Sequence, residues 1–232
     1  MVVLTRLLQK NKLTLITSLP ANQFELYQAA VDAGTDAVKI HVNIEHRASG
    51  NTFGTLQENI EFVSRIAENR SIPVGVVPGD AVDKVKQEEI DEFVKLNLDF
   101  ISLYSDHAPA WLLADRRVTK MIAVNGQQSA AETACLLGLG IDVLEASIMS
   151  PEMYGAPLSL KDLARYKRLA DLSAIPVVVP TQKRIDVSDL PGLLQTGVKG
   201  LMVGAVVTGM EPKSMFESVR RFRKEIDRLT NP

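Results

Sequence analysis

Short runs of β-branched and aliphatic residues alternate along this chain with longer stretches whose apolar positions recur every three to four residues, the pattern of a strand followed by an amphipathic helix. Eight runs read as strands: Leu13–Leu19, Ala37–Asn43, Ile72–Val77, Phe100–Tyr104, Lys120–Asn125, Asp142–Ser147, Ile175–Val179 and Gly200–Val206. Each leads into a segment of helical period: Asn22–Ala33, Leu56–Asn69, Gln87–Leu96, Ala108–Arg116, Ala130–Leu139, Ser159–Ser173, Val187–Gln195 and Pro212–Leu229. Several helices end at a glycine just before the next strand, at Gly34, Gly140 and Gly197, where a left-handed cap costs little. Eight such units in 232 residues predict an α/β fold, a single (β/α)8 TIM barrel over residues 1–232 with a short N-terminal segment before the first strand. No Gly-x-Gly-x-x-Gly opens the first helix, as in an open dinucleotide-binding sheet, and no linker rich in Pro, Gly or Ser divides the chain.

In this fold, active sites lie at the C-terminal ends of the strands and in the loops that follow. Side chains of a parallel strand alternate between the barrel interior and the helix layer. On the second strand Val38, Ile40 and Val42 face the helices, which turns Lys39, His41 and Asn43 inward. The same alternation directs Ser102, Tyr104 and Asp106 inward from the fourth strand, Asn125 from the fifth, Glu145 and Ser147 from the sixth, and Gln182 from just beyond the seventh. Branched apolar side chains normally fill a barrel, and burying an unpaired Lys or Glu costs several kcal/mol. A structural ion pair is one explanation of this polar set. The other, which the convergence from five strands favours, is a substrate-sized pocket with Lys39 and Glu145 as its titratable pair; His41 beside them reads as a general acid or base, a metal ligand, or a core imidazole bonded to a neighbour.

The last two units carry a second signal. Lys199-Gly-Leu-Met-Val-Gly-Ala-Val-Val-Thr-Gly209 ends a strand in Gly204-Ala205 and turns into a helix, so that backbone N–H groups can approach an anion closely. The seventh strand runs into Pro180-Thr181-Gln182-Lys183, adding a hydroxyl, an amide and a cation. Thr181, Gln182, Gly204 and Ala205 are therefore the expected phosphate-binding set, the alternative being that Gly204 only relieves crowding between strand and helix. Two long loops, Ile44–Thr55 and Ile148–Leu158, are either candidate lids, with Arg47 placed to meet an anion on closure, or ordinary solvated loops.

Composition sets limits on these readings. Apolar residues are 46% and charged residues 23%, which excludes disordered and fibrous classes, and a formal charge of −2 with no basic cluster gives nucleic acid and anionic membranes no footing. Charges interrupt every apolar run near the start, leaving neither signal peptide nor membrane span, so a cytoplasmic protein is expected. The lone Cys135 reads as a small buried side chain on a helix. No cofactor is expected. A divalent metal stays open, because Asp80, Asp106 and His107 fall at loop ends, although no His-x-x-x-His backs one.

The whole chain resembles the ribulose-phosphate-binding group of barrels, and is most similar in the order of its segments to N-acylmannosamine-6-phosphate 2-epimerase. The matching stretches are Leu13-Thr-Leu-Ile-Thr-Ser-Leu-Pro20, Ala29-Ala-Val-Asp-Ala-Gly-Thr-Asp-Ala-Val38 and Val198-Lys-Gly-Leu-Met-Val-Gly-Ala-Val-Val-Thr208. His41-Val-Asn43 with Asn51-Thr-Phe-Gly54 is similar to ribulose-phosphate 3-epimerase, where a His-x-Asp precedes a similar turn. The likeness implies a phosphate grip in the last strand. It departs at the chemistry: Pro78 and Pro180 stand where the mannosamine-phosphate epimerases carry a lysine and a glutamate, and Asn43 stands for the pentose-phosphate epimerases' aspartate. Barrels of this group often pair, and Trp111 with Leu112 and Leu113 either packs on the barrel or lies at such an interface.

Three functions follow as expectations. The first is an isomerase or epimerase of a small phosphorylated metabolite, a sugar phosphate in view of the resemblance, moving a proton next to a carbonyl. Lys39 and Glu145 share the acid–base work, His41 or Asn43 polarises the carbonyl, and Tyr104, Asp106 and Asn125 grip hydroxyls. The second is an aldolase-type lyase in which Lys39 forms a Schiff base. The third is a non-catalytic sensor that kept the phosphate pocket.

Overall fold

The computed structural model describes residues 3–230, so the two outermost residues at each end of the expected 1–232 domain lie outside it. Eight parallel strands close into a barrel: β1 (Thr14–Ser18), β2 (Ala37–His41), β5 (Val74–Val77), β6 (Phe100–Tyr104), β7 (Thr119–Val124), β8 (Val143–Ala146), β9 (Val177–Pro180) and β10 (Gly200–Val203). Each pairs with its neighbours in sequence order and β10 closes on β1, with Thr14 opposite Gly200. The remaining strands, β3 (Ile44–His46) and β4 (Asn51–Phe53), form an antiparallel hairpin inside the first candidate lid. The outer layer comprises α2 (Phe24–Asp32), α3 (Ile60–Asn69), α4 (Gln87–Lys95), α5 (Ala130–Gly138), α6 (Leu160–Leu172), α7 (Leu190–Gln195) and α9 (Pro212–Thr230), with the one-turn α8 (Ala205–Thr208) after β10. The closed (β/α)8 barrel expected from the hydrophobic pattern is the fold. Among the described residues no helix is long and apolar enough to cross a membrane.

Two apolar cores follow from the alternation. Val38, Ile40, Ile101, Leu103, Leu144 and Leu201 point outward and join the helices, whereas Ile16, Ala37, Phe100, Met121, Val143, Val178 and Met202 fill the barrel's lower interior. The N-terminal segment is itself a helix, α1 (Leu4–Lys10), whose Leu4 and Leu8 plug the bottom of that inner core. It has no side-chain cap of its own; the Leu4 N–H instead donates to Asp99 Oδ1 at 2.8 Å, so a tertiary contact satisfies one of its orphan donors.

The inner core is crowded at Gly75, where an added Cβ would lie 2.2 Å from the Phe100 ring. Gly75→Ala is expected to cost roughly 1–3 kcal/mol or more by overpacking. Urea unfolding measures this, and Phe100→Leu in the same background should recover part of the loss. An unchanged midpoint would mean that the two residues do not meet at the barrel axis.

Two local expectations need correction. Ala108–Arg116 is not an α-helix but a 3-10 segment at Ala110–Ala114; Pro109 precedes it, and Asp115, held by Arg117 Nε at 3.0 Å, turns the chain away after little more than one turn. Cys135 is exposed, because α5 buries only Thr133 fully and its small residues face outward. Trp111 is half-buried and packs against the core between barrel and helices.

Candidate active site

A cavity of about 690 Å³ opens at the C-terminal end of the barrel, above the apolar plug. Alternation along β2 and β8 carries Lys39, His41, Glu145 and Ser147 into it, and β6 adds Ser102 and Tyr104. Lys39 Nζ lies 3.4 Å from Glu145 Oε2, and the two residues are 7% and 5% exposed. Ser102 Oγ donates to Oε2 at 3.0 Å and Ser147 Oγ to Oε1 at 2.8 Å, so the carboxylate is fixed by hydroxyls on both sides. Burial holds the neighbouring Tyr104 phenol protonated, above the ordinary tyrosine range. Its ring meets His107 edge-on at 5.6 Å.

His41 is buried beneath the β3–β4 hairpin. Its ring centroid is 4.4 Å from that of His46 and 4.8 Å from that of Phe53, and its Nε2 is 3.4 Å from Ser18 Oγ. Its Nδ1 has no hydrogen-bond partner. Burial first, then His46 and Lys39, push the His41 imidazole well below the usual histidine range. Burial and Lys39 bring His46 down to about 4, against a smaller upward pull from Glu145. Both rings are therefore neutral near pH 7.

The far wall carries the residues expected to bind phosphate. Gly204 and Ala205 line the cavity, and the Gly204 N–H donates to Thr181 Oγ1 at 3.0 Å. Gly204 is extended, with φ −143°, and a Cβ there would meet only Ser18, at 3.6 Å. Neither conformation nor crowding demands a glycine. A Cβ there would make only an ordinary van der Waals contact with Ser18.

Several expected site residues do something else. Asn43 is absent from the cavity wall: β2 ends at His41, Asn43 turns left-handed at φ 55°, and its Nδ2 donates to the Pro78 carbonyl at 3.1 Å and to Glu89 Oε2 at 2.8 Å. Gln182 lines the cavity, but both ends of its amide are taken. Oε1 accepts from the Met149 N–H at 3.0 Å and Nε2 donates to the Tyr154 hydroxyl at 2.7 Å, clamping the 148–158 loop over the barrel. Lys183 turns outward to Asp162 on α6, 3.4 Å away. Asp106 and Asn125 meet at the rim, with Asn125 Nδ2 donating to Asp106 Oδ2 at 3.0 Å. Asp80 is engaged by Lys84 and the Glu45 N–H, and among the described residues no group of three His, Cys, Asp or Glu is placed to hold a metal ion.

Ser18, His46 and Tyr154 also line the cavity without having been singled out from the sequence. The alternation that placed Lys39 would have found Ser18, two residues after the inward Ile16. His46 and Tyr154 come from loops, where strand periodicity gives no signal.

No protein-family model matches the chain, and no curated protein matches it. Solved structures do. Tryptophan synthase from Mycobacterium tuberculosis aligns with a TM-score of 0.71 at 14% identity, over 95% of this chain and 96% of that one. KGPDC from Streptococcus mutans aligns at 0.70 and 16% identity over 94% and 99%. Thiamine phosphate pyrophosphorylase from Pyrococcus furiosus aligns at 0.65 and 18% identity over 95% and 98%. At such identities the likeness shows a shared barrel.

Proposed function

We propose that this protein is an enzyme that moves a proton next to the carbonyl of a small phosphorylated metabolite, a sugar phosphate isomerase or epimerase. The observation that carries the reading is the buried Lys39–Glu145 pair in the same cavity that Gly204 and Ala205 line. Phosphate at Gly204 and Ala205 would fix one end of the substrate, and Asp106 and Asn125 at the rim would take hydroxyls at the other. The carbonyl end would reach Lys39, Glu145 and the neutral His41, which supply cation, carboxylate and acceptor. The barrel is shared with a protein named for thiamine phosphate, and the sequence resemblance to N-acylmannosamine-6-phosphate 2-epimerase points to the same class of phosphorylated ligand. That epimerase's lysine and glutamate are replaced by Pro78 and Pro180, of which Pro180 lines the cavity and Pro78 does not; on this reading Lys39 and Glu145 would serve as a different catalytic set.

Incubating the protein in deuterium oxide with a panel of sugar phosphates should show deuterium entering the carbon beside the carbonyl of at least one of them. Binding without exchange across the panel would favour a sensor. Gly204→Val should weaken binding of a phosphorylated ligand at least ten-fold in calorimetry while changing stability by roughly 0.5 kcal/mol or less. Unchanged affinity would move the phosphate elsewhere.

A further inference from the structure

The hydrogen bonding of the Lys39–Glu145 pair is unequal. Glu145 has two closer donors than Lys39, Ser147 at 2.8 Å and Ser102 at 3.0 Å, against 3.4 Å for the amine. The carboxylate is thus satisfied without the lysine. The converse does not hold: an ammonium has three N–H donors, and among the described residues Glu145 is the one hydrogen-bond partner of Nζ. The other two buried lysines are used structurally. Lys120 donates to the Asp115 carbonyl at 3.0 Å and pairs with Asp142 at 3.2 Å, and Lys183 pairs with Asp162; neither lines the cavity. Lys39 is a buried amine with N–H donors that have no other partner among the described residues, and it lines a substrate-sized space.

We propose that Lys39 is a nucleophile that forms an imine with the aldehyde or ketone carbon of the substrate. This deepens the reading of the cavity as a phosphometabolite site and rests on it. The nitrogen lone pair forms the C–N bond as the carbonyl oxygen takes up one proton; the oxygen then takes a second and leaves as water. Both protons come from the ammonium, so the iminium nitrogen keeps one hydrogen and the positive charge. Glu145 faces that nitrogen throughout and is the group that ferries the protons, while Ser102 and Ser147 keep its carboxylate aimed. An iminium withdraws electrons from an adjacent C–H or C–C bond, so the adduct would serve proton transfer and aldol cleavage alike.

The test is reductive trapping on the full chain. Dihydroxyacetone phosphate, glyceraldehyde 3-phosphate and ribose 5-phosphate are each added with cyanoborohydride, beside their unphosphorylated parents, and the adduct is located by intact mass and peptide mapping. The expected result is one adduct per chain on Lys39, at least ten-fold above any other lysine with the phosphorylated probes, absent in Lys39→Arg and reduced in Glu145→Gln. Lys39→Arg keeps a cation beside Glu145, and its unfolding midpoint separates loss of the nucleophile from loss of the fold; if it fails to fold, mapping on the wild type still decides. Equal trapping of phosphorylated and unphosphorylated carbonyls on Lys39 keeps the imine and overturns the phosphate reading. Deuterium exchange into a phosphorylated probe with no adduct on Lys39 overturns the imine and keeps the phosphate reading. Adducts scattered over surface lysines, or none at all, overturn the imine.

Discussion

A Lys39→Met/Glu145→Leu double variant is expected to be at least as stable as the wild type and to have lost all exchange activity. Taking two charges out of water costs several kcal/mol each, and their attraction repays this only with close geometry. Here the contact is 3.4 Å, and the serines supply the shorter bonds. Replacing a buried pair of this kind by apolar residues of similar volume is commonly neutral, or stabilising by about 1–4 kcal/mol. The two serine hydroxyls lose their acceptor, but they line an open cavity that admits water. Each single replacement should behave oppositely. Glu145→Leu strands an ammonium and Lys39→Met a carboxylate, and each should destabilise, by less than the about 3–5 kcal/mol of a fully enclosed pair because both groups line the open cavity, the carboxylate least because its serines remain. Denaturant unfolding of the three variants separates the cases. A double variant that is itself several kcal/mol less stable would make the pair a structural element, and the functional argument would fall with it.

Stability is also expected to decline as pH falls from about 6.5 to 4. His46 in the fold takes up its proton only near pH 4, whereas in the unfolded chain it does so near 6.5. Between those values the unfolded chain holds one more proton, so acid favours unfolding. The slope is about 1.4 kcal/mol per pH unit, or roughly 3 kcal/mol over the window, less what solvent takes from a partly exposed ring. His41 shifts in the same direction and adds to the effect. Two imidazoliums 4.4 Å apart beside Lys39 would repel, so the hairpin that stacks His46 and Phe53 on His41 should be the first part to loosen. Asp36, Asp99 and Glu89 pull the other way at the acid end, because burial raises their carboxyls. The informative quantity is thus the difference from His46→Phe, which keeps a ring in the stack and cannot be protonated. Urea unfolding between pH 7 and 5 should show a shallower slope in that variant; equal slopes would place the titrating groups elsewhere.

Residues within strands were readable from the chain because a strand has two faces and a barrel has an inside. Once Val38 and Ile40 are assigned to the helix layer, Lys39 and His41 can only point inward, and the same logic brings Glu145 to meet Lys39 across the barrel, 106 residues away. The rule stopped working where the strands stop. Asn43 lies two residues beyond β2 in a left-handed turn, and its amide belongs to Pro78 and Glu89. Gln182 and Lys183 follow β9 and are used to hold a loop and a helix. His46 and Tyr154 reach the cavity from segments without periodicity, guided by ring stacking and by the Gln182 amide. The Ala108–Arg116 segment has apolar residues suited to a helix, but the chain direction set by Pro109 and the Asp115–Arg117 contact allows only a 3-10 segment.

The order of apolar and polar residues by itself determined the barrel, its strand order and the inward face that holds Lys39 and Glu145, because alternation and helical period are local and each must bury one side. Tertiary structure alone decided which polar groups are left free for a substrate. Partners for an amide, an imidazole or an ammonium come from distant loops, and only their arrival shows that Gln182 is occupied, that His41 is neutral, and that Lys39 has bonding capacity to spare.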